Sequence, residues 1–205
     1  MSNMRRVVGA YHVAMFPVWH DLVRIQCERI KESGLLDRTS KLLVGVVGAS
    51  KEDTSILTDL LGSKACVRYL GPLSLYEFST LQWLYDEIRL DDVACWYAHT
   101  KGISAPTDIQ TAWRLRMESV VFDQYEKCLD ALETHDTCGN TWYWGGLHDS
   151  KNFHYSGNFW WANSSYLQTL PEPLSLRSGK YGRFEAEFWI GKNPAVKPLS
   201  LDAKE

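Results

Sequence analysis

Short apolar runs alternate with segments of helical spacing through the first hundred residues, and few architectures accommodate that order. Arg6–Ala14 reads as a strand, and Pro17 then opens a helix whose apolar residues Val18, Leu22, Ile25 and Ile30 recur until Gly34 stops it. Leu42–Gly48 is a second, nearly all-apolar strand, followed by a helix around Glu52–Leu61 and a third strand at Ala65–Leu70. Ser74–Ile88 again has helical periodicity, through Phe78, Leu81, Leu84, Tyr85 and Ile88. Asp92–Ala98 is a fourth strand, ending in His99-Thr100-Lys101-Gly102. Strands apolar on both faces must be covered on both, so the pattern predicts an α/β fold: a mostly parallel, Rossmann-like central sheet with helices on both faces.

The second half has a different texture. Asp108–Glu133 reads as one long amphipathic helix carrying Trp113, Leu115, Val120, Val121, Tyr125, Leu129 and Leu132 on its apolar side. Beyond Thr137 come aromatic, glycine-punctuated strands at Trp142–Trp144 and Phe159–Ala162, an aromatic-rich β portion, then a short helix at Ser165–Leu170 and the Pro171/Pro173 break. Ser175–Tyr181, rich in Ser, Gly and basic residues, is expected to be a mobile loop, and residues 195–205 a frayed polar tail. A length of 205 residues suits one domain, taken as 1–194.

Composition excludes several classes of function. A formal net charge of −3 and a pI near 6.1 leave no basic footprint for nucleic acid. No stretch approaches the ~20 apolar residues of a membrane span and the start does not read as a signal peptide, so a soluble, cytoplasmic protein is expected. The five cysteines are scattered, without a Cys-x-x-Cys pair, which predicts reduced, mostly buried thiols. No Gly-x-Gly-x-x-Gly follows the first strand, which argues against a dinucleotide-dependent dehydrogenase.

Ligands of parallel α/β sheets bind outside the carboxyl ends of the strands. Tyr11-His12 and His99-Thr100-Lys101 should therefore lie on one rim, with Glu77 and Thr80 one helical turn apart nearby. Asp91 and Asp92 fall at the opposite end of their strand and read as a turn. In Asn152–Asn163, small and amide residues (Ser156, Gly157, Asn158) are threaded among His154, Tyr155, Trp160 and Trp161. Flat amphipathic rings of this kind can grip a polar, ring-shaped ligand, while a buried strand with a glycine bulge accounts for the same composition. Glu185 and Glu187 share one face if their segment is extended. In a helix they would diverge by about 200°, and only one would reach a site.

In this order, Tyr11-His12, Tyr76–Leu81, Tyr97–Gly102, Ser156–Ala162 and Glu185–Gly191 resemble the corresponding segments of small nucleotide-sugar glycosyltransferases of the GT-A fold, a group found in large DNA viruses of algae and in bacterial polysaccharide clusters. The resemblance spans most of the chain. It implies a nucleotide-binding half (1–102) and a sugar and acceptor half (103–194), and transfer of a sugar from a nucleoside diphosphate, most simply UDP, to a hydroxyl of a glycan or glycoconjugate. On this view Tyr11, His12, Glu77, Thr80, His99, Lys101 and Arg114 hold the nucleotide and diphosphate. His154, Tyr155, Ser156, Gly157, Asn158, Trp160 and Trp161 hold sugar and acceptor, and Glu187 and Glu185 are the catalytic carboxylates. One departure matters: no Asp-x-Asp is present to hold Mn²⁺ or Mg²⁺ on the diphosphate. Either His99, with His148 or His154, helps to hold the metal, or Lys101 with Arg114 or Arg116 neutralises the diphosphate without one. A non-catalytic carbohydrate-binding module with tryptophan platforms is the alternative function.

Overall fold

Val7–Ala14 (β1) is buried along almost its whole length, so both its edges and both its faces must be covered. Lys41–Val47 (β2) and Ala94–His99 (β4) flank it in parallel, and Ala65–Gly71 (β3) pairs with β2 beyond. The computed structural model describes residues 5–48, 54–102, 107–144 and 152–202. Among them one seven-stranded sheet has the order β3-β2-β1-β4-β8-β5-β9. In it Trp160–Asn163 (β8) runs antiparallel to β4 and to Thr137–Gly139 (β5), and Pro198–Ser200 (β9) is parallel to β5. The chain steps outward from β1 to β3, then returns past β1 to β4, so the strand order reverses between β1 and β4. A crevice opens at the carboxyl ends of strands at such a reversal.

Helices cover both faces, as the sequence pattern predicts. On one face Trp19–Glu32 (α1), followed by the short Leu35–Arg38 (α2), joins Ser55–Leu61 (α3) and Asp108–Glu118 (α5) around Tyr11, Val13, Trp96 and Trp161. On the other, Phe78–Glu87 (α4) and Ser164–Leu167 (α7) close over Val8, Ala10, Tyr97 and Trp160. Trp96 lies against Gly9, where a Cβ would stand 2.4 Å from the indole, and its Nε1–H donates to Thr39 Oγ1 at 3.0 Å. Only glycine lets this ring settle against β1. No helix among the described residues is long and apolar enough to cross a membrane.

Three local expectations are corrected. The single helix over Asp108–Glu133 is instead α5, a π-helical stretch Ser119–Asp123, and Tyr125–Ala131 (α6). Side-chain donors compete with the regular helical ladder there: Trp161 Nε1–H bonds Val121 O at 3.0 Å, Cys128 Sγ bonds Val120 O at 3.5 Å, and Gln124 Nε2 bonds Ser119 O at 3.4 Å. The expected frayed tail contains β9, with Leu199 packed against the core and Leu201 N–H bonded to Gly139 O. Alternation of two leucines is too short a signal to separate from a polar tail. Glu185-Ala186-Glu187 is not extended: Glu185–Phe188 is a short helix (α8) between 3₁₀ turns at Gly182–Phe184 and Trp189–Gly191. Glu and Ala favour that local choice.

Trp142–Trp144 (β6) is a strand, as expected, but it pairs with Phe153–Tyr155 (β7) in a separate two-stranded sheet. In the segment expected as a loop, Gly179 N–H bonds Leu176 O and Arg177 Nη2 bonds Ser74 O.

Candidate functional site

A cavity of about 520 Å³ occupies the reversal between β1 and β4. His12 and His99 sit opposite each other in the β1–β4 register and form its base. Ala14 and Phe16 after β1, Val47 of β2, and Leu73, Ser74, Tyr76 and Glu77 before α4 make one side. Thr100, Lys101 and Gly102 after β4, Gln110 and Trp113 of α5, and Arg183 and Glu187 around α8 make the other. Thr100 Oγ1 accepts from Ala14 N–H at 3.0 Å and ties the two strand ends together.

The His12 ring is held by Thr80, with Nδ1 2.8 Å from Oγ1. Thr80 comes this close because Gly45 lies beneath it, where a Cβ would meet Oγ1 at 2.1 Å. Burial, with His99 as neighbour, pushes His12 down to about 3, so the imidazole is neutral at physiological pH.

His99 is fixed from both sides. Its Nε2 lies 2.9 Å from Gly157 O, and a carbonyl can only accept, so Nε2 carries the hydrogen. The turn presenting that carbonyl uses two left-handed residues, Gly157 (φ 75°) and Asn158 (φ 60°). The other nitrogen, Nδ1, faces Glu77 Oε1 at 3.2 Å. A lone pair opposite a carboxylate is repulsive, so one proton belongs between them. Burial, then Lys101, lowers His99 to about 4, against the opposing pull of Gly157 O and Glu187. Burial raises Glu77, while Lys101, Arg183 and Asn158 favour its charged form. Both shifts favour the neutral pair, with the Glu77 carboxyl O–H donating to Nδ1.

Lys101 Nζ stands over the Trp113 ring, 4.8 Å from its centroid. Ser156 Oγ accepts from Trp113 Nε1–H at 3.0 Å and holds that platform in place. Both non-glycine residues of positive φ among the described residues border this site: Tyr76 (49°) in the cavity wall and Asn158 next to Glu77. Such strained backbone persists only where its surroundings enforce it.

Of the residues singled out in the sequence, His12, Glu77, His99, Lys101 and Glu187 meet in the cavity wall. Thr80, Ser156, Gly157 and Asn158 stand behind it as supports. Others lie elsewhere. Tyr11, next to His12 on an alternating strand, points to the opposite face and donates to Gln26 Oε1 at 2.7 Å. Arg114 joins the same buried network, bonded to Glu118 at 2.7 Å, as are Gln26 at 2.7 Å and Arg29 at 3.0 Å. Arg116 is exposed on α5.

Trp160 and Trp161 are no surface platform, because β8 is an interior strand covered on both faces. Both rings are fully buried, with indole N–H groups bonded to Asn158 Oδ1 and Val121 O. Tyr155 is buried too, its hydroxyl bonded to Thr137 and to Leu199 O. Glu185 points away from the cavity and accepts from Lys192 at 2.5 Å. Asp91 and Asp92 pair with Arg6 and Arg5 at the far end of β4.

Neither proposed histidine suits a metal ion. Both ring nitrogens of His99 are engaged, and those of His154 contact Asn152 O at 3.0 Å and Tyr143 Oη at 3.1 Å. Among the described residues no group of three or more His, Cys, Asp or Glu side chains could hold an ion, and His148 lies outside those residues. Arg183, Gln110 and Tyr76 join the site without a local sequence pattern that marks them, and Trp113, expected in the apolar stripe of its helix, lines the cavity as well. The Gly182-Arg183 step at the end of a basic loop was the sole local signal for the first.

Residues 18–181 match the model of a family described as a domain of unknown function, DUF8361. The chain belongs to this family. No curated protein matches its sequence. Among solved structures it is similar to 4-diphosphocytidyl-2C-methyl-D-erythritol synthase from Anaerococcus prevotii DSM 20548, with a TM-score of 0.56 and 9% identity over 98% of this chain and 90% of that one. It is also similar to a protein from Desulfovibrio desulfuricans G20 described as a nucleotide-diphospho-sugar transferase, with a TM-score of 0.50 and 12% identity over 95% and 79% of the two chains. At these identities the likeness shows the fold alone: this DUF8361 member has the GT-A-type α/β architecture.

Proposed function

We propose that the protein acts in the cytoplasm as a glycosyltransferase, moving a sugar from a nucleoside diphosphate sugar, most simply a UDP-sugar, to a hydroxyl of a glycan or glycoconjugate. The observation that carries this reading is the pairing of two cations, Lys101 and Arg183, with the carboxylate of Glu187 around one cavity at the strand reversal. Transfer needs charge neutralisation on a departing diphosphate and a base for the acceptor hydroxyl. Lys101 and Arg183 supply the first. Glu187 takes the acceptor proton as the acceptor oxygen bonds to the anomeric carbon and the bond from that carbon to the phosphate oxygen breaks. Neutral His12 and His99 shape the base of the cavity without adding charge. The half of the chain before residue 103 contributes the strand ends and Lys101, and the half after it contributes Arg183 and Glu187. Burial of Trp160 and Trp161 removes the main ground for a non-catalytic module.

A calorimetric and thermal-shift screen of UDP, GDP and CMP, each with and without Mn²⁺, tests the reading. UDP should bind and raise the melting temperature, since a ligand of the folded state stabilises it by mass action. If free oligosaccharides shift the melt at millimolar concentration and no nucleotide does, the transferase reading is wrong.

A further inference from the structure

Tyr76 holds a backbone conformation that glycine adopts readily and bulky residues rarely, with φ 49° and ψ −148°. The chain is pinned on both sides of it. Before it, Leu75 N–H bonds Pro72 O and Tyr76 N–H bonds Leu73 O, both at 3.0 Å, which closes the 3₁₀ turn Leu73–Leu75, and Arg177 Nη2 donates to Ser74 O at 3.3 Å. After it, Glu77 O accepts from Thr80 N–H at 3.1 Å and from Leu81 N–H at 3.0 Å, and the Glu77 carboxyl faces His99. Core packing does not repay this strain, because the Tyr76 side chain is not in the core: the residue is 41% exposed and lines the cavity. Among the described residues no aromatic ring stacks on it and no hydrogen bond holds its hydroxyl. Strained residues of this kind cluster where a ligand is clamped.

The two sides of the cavity differ in chemistry. Ala14, Phe16, Val47 and Leu73 stand on the side of Tyr76, whereas Lys101 and Arg183 bring positive charge to the other. A nucleoside diphosphate is divided in the same way, into a flat base with apolar faces and an anionic diphosphate. A sugar ring, rimmed with hydroxyls, would leave many of them unpaired against those four apolar side chains. We propose that Tyr76 is the platform on which the nucleobase stacks, with Phe16 and Leu73 completing an apolar seat and the diphosphate lying toward Lys101 and Arg183. The inference rests on the transferase reading and assigns the base end of that same site. A ring whose direction is fixed beforehand by its backbone loses little freedom when a base stacks on it, and that is the use to which the strain is put.

The experiment measures binding of UDP and of inorganic pyrophosphate to the wild-type protein, Tyr76→Phe and Tyr76→Gly by calorimetry, with unliganded melting temperatures alongside. Tyr76→Gly should weaken UDP about 10- to 100-fold, the usual worth of one base–aromatic stack, and leave pyrophosphate unchanged. Tyr76→Phe keeps the ring and should bind UDP within about twofold of the wild-type protein. The melting temperature of Tyr76→Gly should hold or rise, since glycine accepts the conformation that strains tyrosine. A fall in that temperature overturns the inference by showing that the ring packs into the fold. So does unchanged UDP affinity in Tyr76→Gly, a parallel loss of UDP and pyrophosphate, or an equal loss of UDP in Tyr76→Phe. If the wild-type protein binds pyrophosphate as tightly as UDP, the base seat is wrong while the diphosphate site stands; if it binds neither, the transferase reading falls and the seat with it.

Discussion

His99 Nδ1 stands 3.2 Å from Glu77 Oε1 while its Nε2 is spent on Gly157 O, so the two residues hold a single proton between them at the wall of the cavity. The same burial that keeps His99 neutral keeps His12 neutral, and together they link stability to pH.

Acid should weaken the fold well above the carboxylate range. Unfolded histidines take up protons below about pH 6.5, whereas folded His99 and His12 do so only near about 4 and about 3. The unfolded state therefore binds more protons in that window, and each histidine removes about 1.4 kcal/mol of stability per pH unit as pH falls. Glu77 acts oppositely: its raised folded value lets the native state keep a proton that the unfolded chain gives up above about pH 4.5. Glu77 opposes part of the histidine loss just above the ordinary glutamate range, so Glu77→Gln should steepen the fall in stability there. Urea midpoints at pH 7.0, 6.0 and 5.0 measure both slopes. A flat wild-type profile would contradict the neutral pair.

Glu187 and Glu185 should separate by kind of effect. Glu187 lines the cavity, so Glu187→Gln should retain UDP binding and lose transfer by about 10²- to 10⁴-fold. Glu185 is buried against Lys192, so Glu185→Gln should cost about 1–3 kcal/mol of stability and leave the activity of the remaining folded protein intact. Turnover and chemical denaturation of both variants check this, and wild-type turnover in Glu187→Gln would place the catalytic base elsewhere.

Lys101→Ala and Arg183→Ala should each weaken UDP binding about 10- to 100-fold at low salt with the fold preserved, because both cations line the cavity and neither is buried. His99→Ala should differ from both. It strips Gly157 O and Glu77 of a partner and should lower the melting temperature before any effect on binding is read. Titration calorimetry with melting curves distinguishes the two classes.

Gly45→Ala should destabilise the protein by about 1–3 kcal/mol, since the new Cβ would press into Thr80 at 2.1 Å and displace the helix that holds His12. The double substitution Gly45→Ala with Thr80→Ala should recover part of that loss. Equal stability of wild-type and Gly45→Ala would show that α4 packs less closely on β2 than described.

The sequence by itself determined the scaffold. Apolar runs of strand length and segments of helical spacing are local signals, and their alternation through residue 102 is enough to specify β1 to β4, their helices, and a rim bearing His12 and His99. What the tertiary structure decided is which side chains enter the cavity, because that depends on pairings between segments far apart in the chain. Tyr11 and His12 are neighbours in sequence, yet the pleat of β1 sends one to a buried network with Gln26 and the other to the site. Trp160 and Trp161 read as ring-gripping surfaces until β8 is seen inserted between β4 and β5, where both faces are already covered. Arg183 had almost no local signature. It joins the site because Glu185–Phe188 turns as a helix and brings Arg183 and Glu187 to a cavity whose other wall was formed a hundred residues earlier. Periodicity is a property of neighbours along the chain. The direction in which a side chain faces at a strand end is set by what packs beside it, and that is non-local.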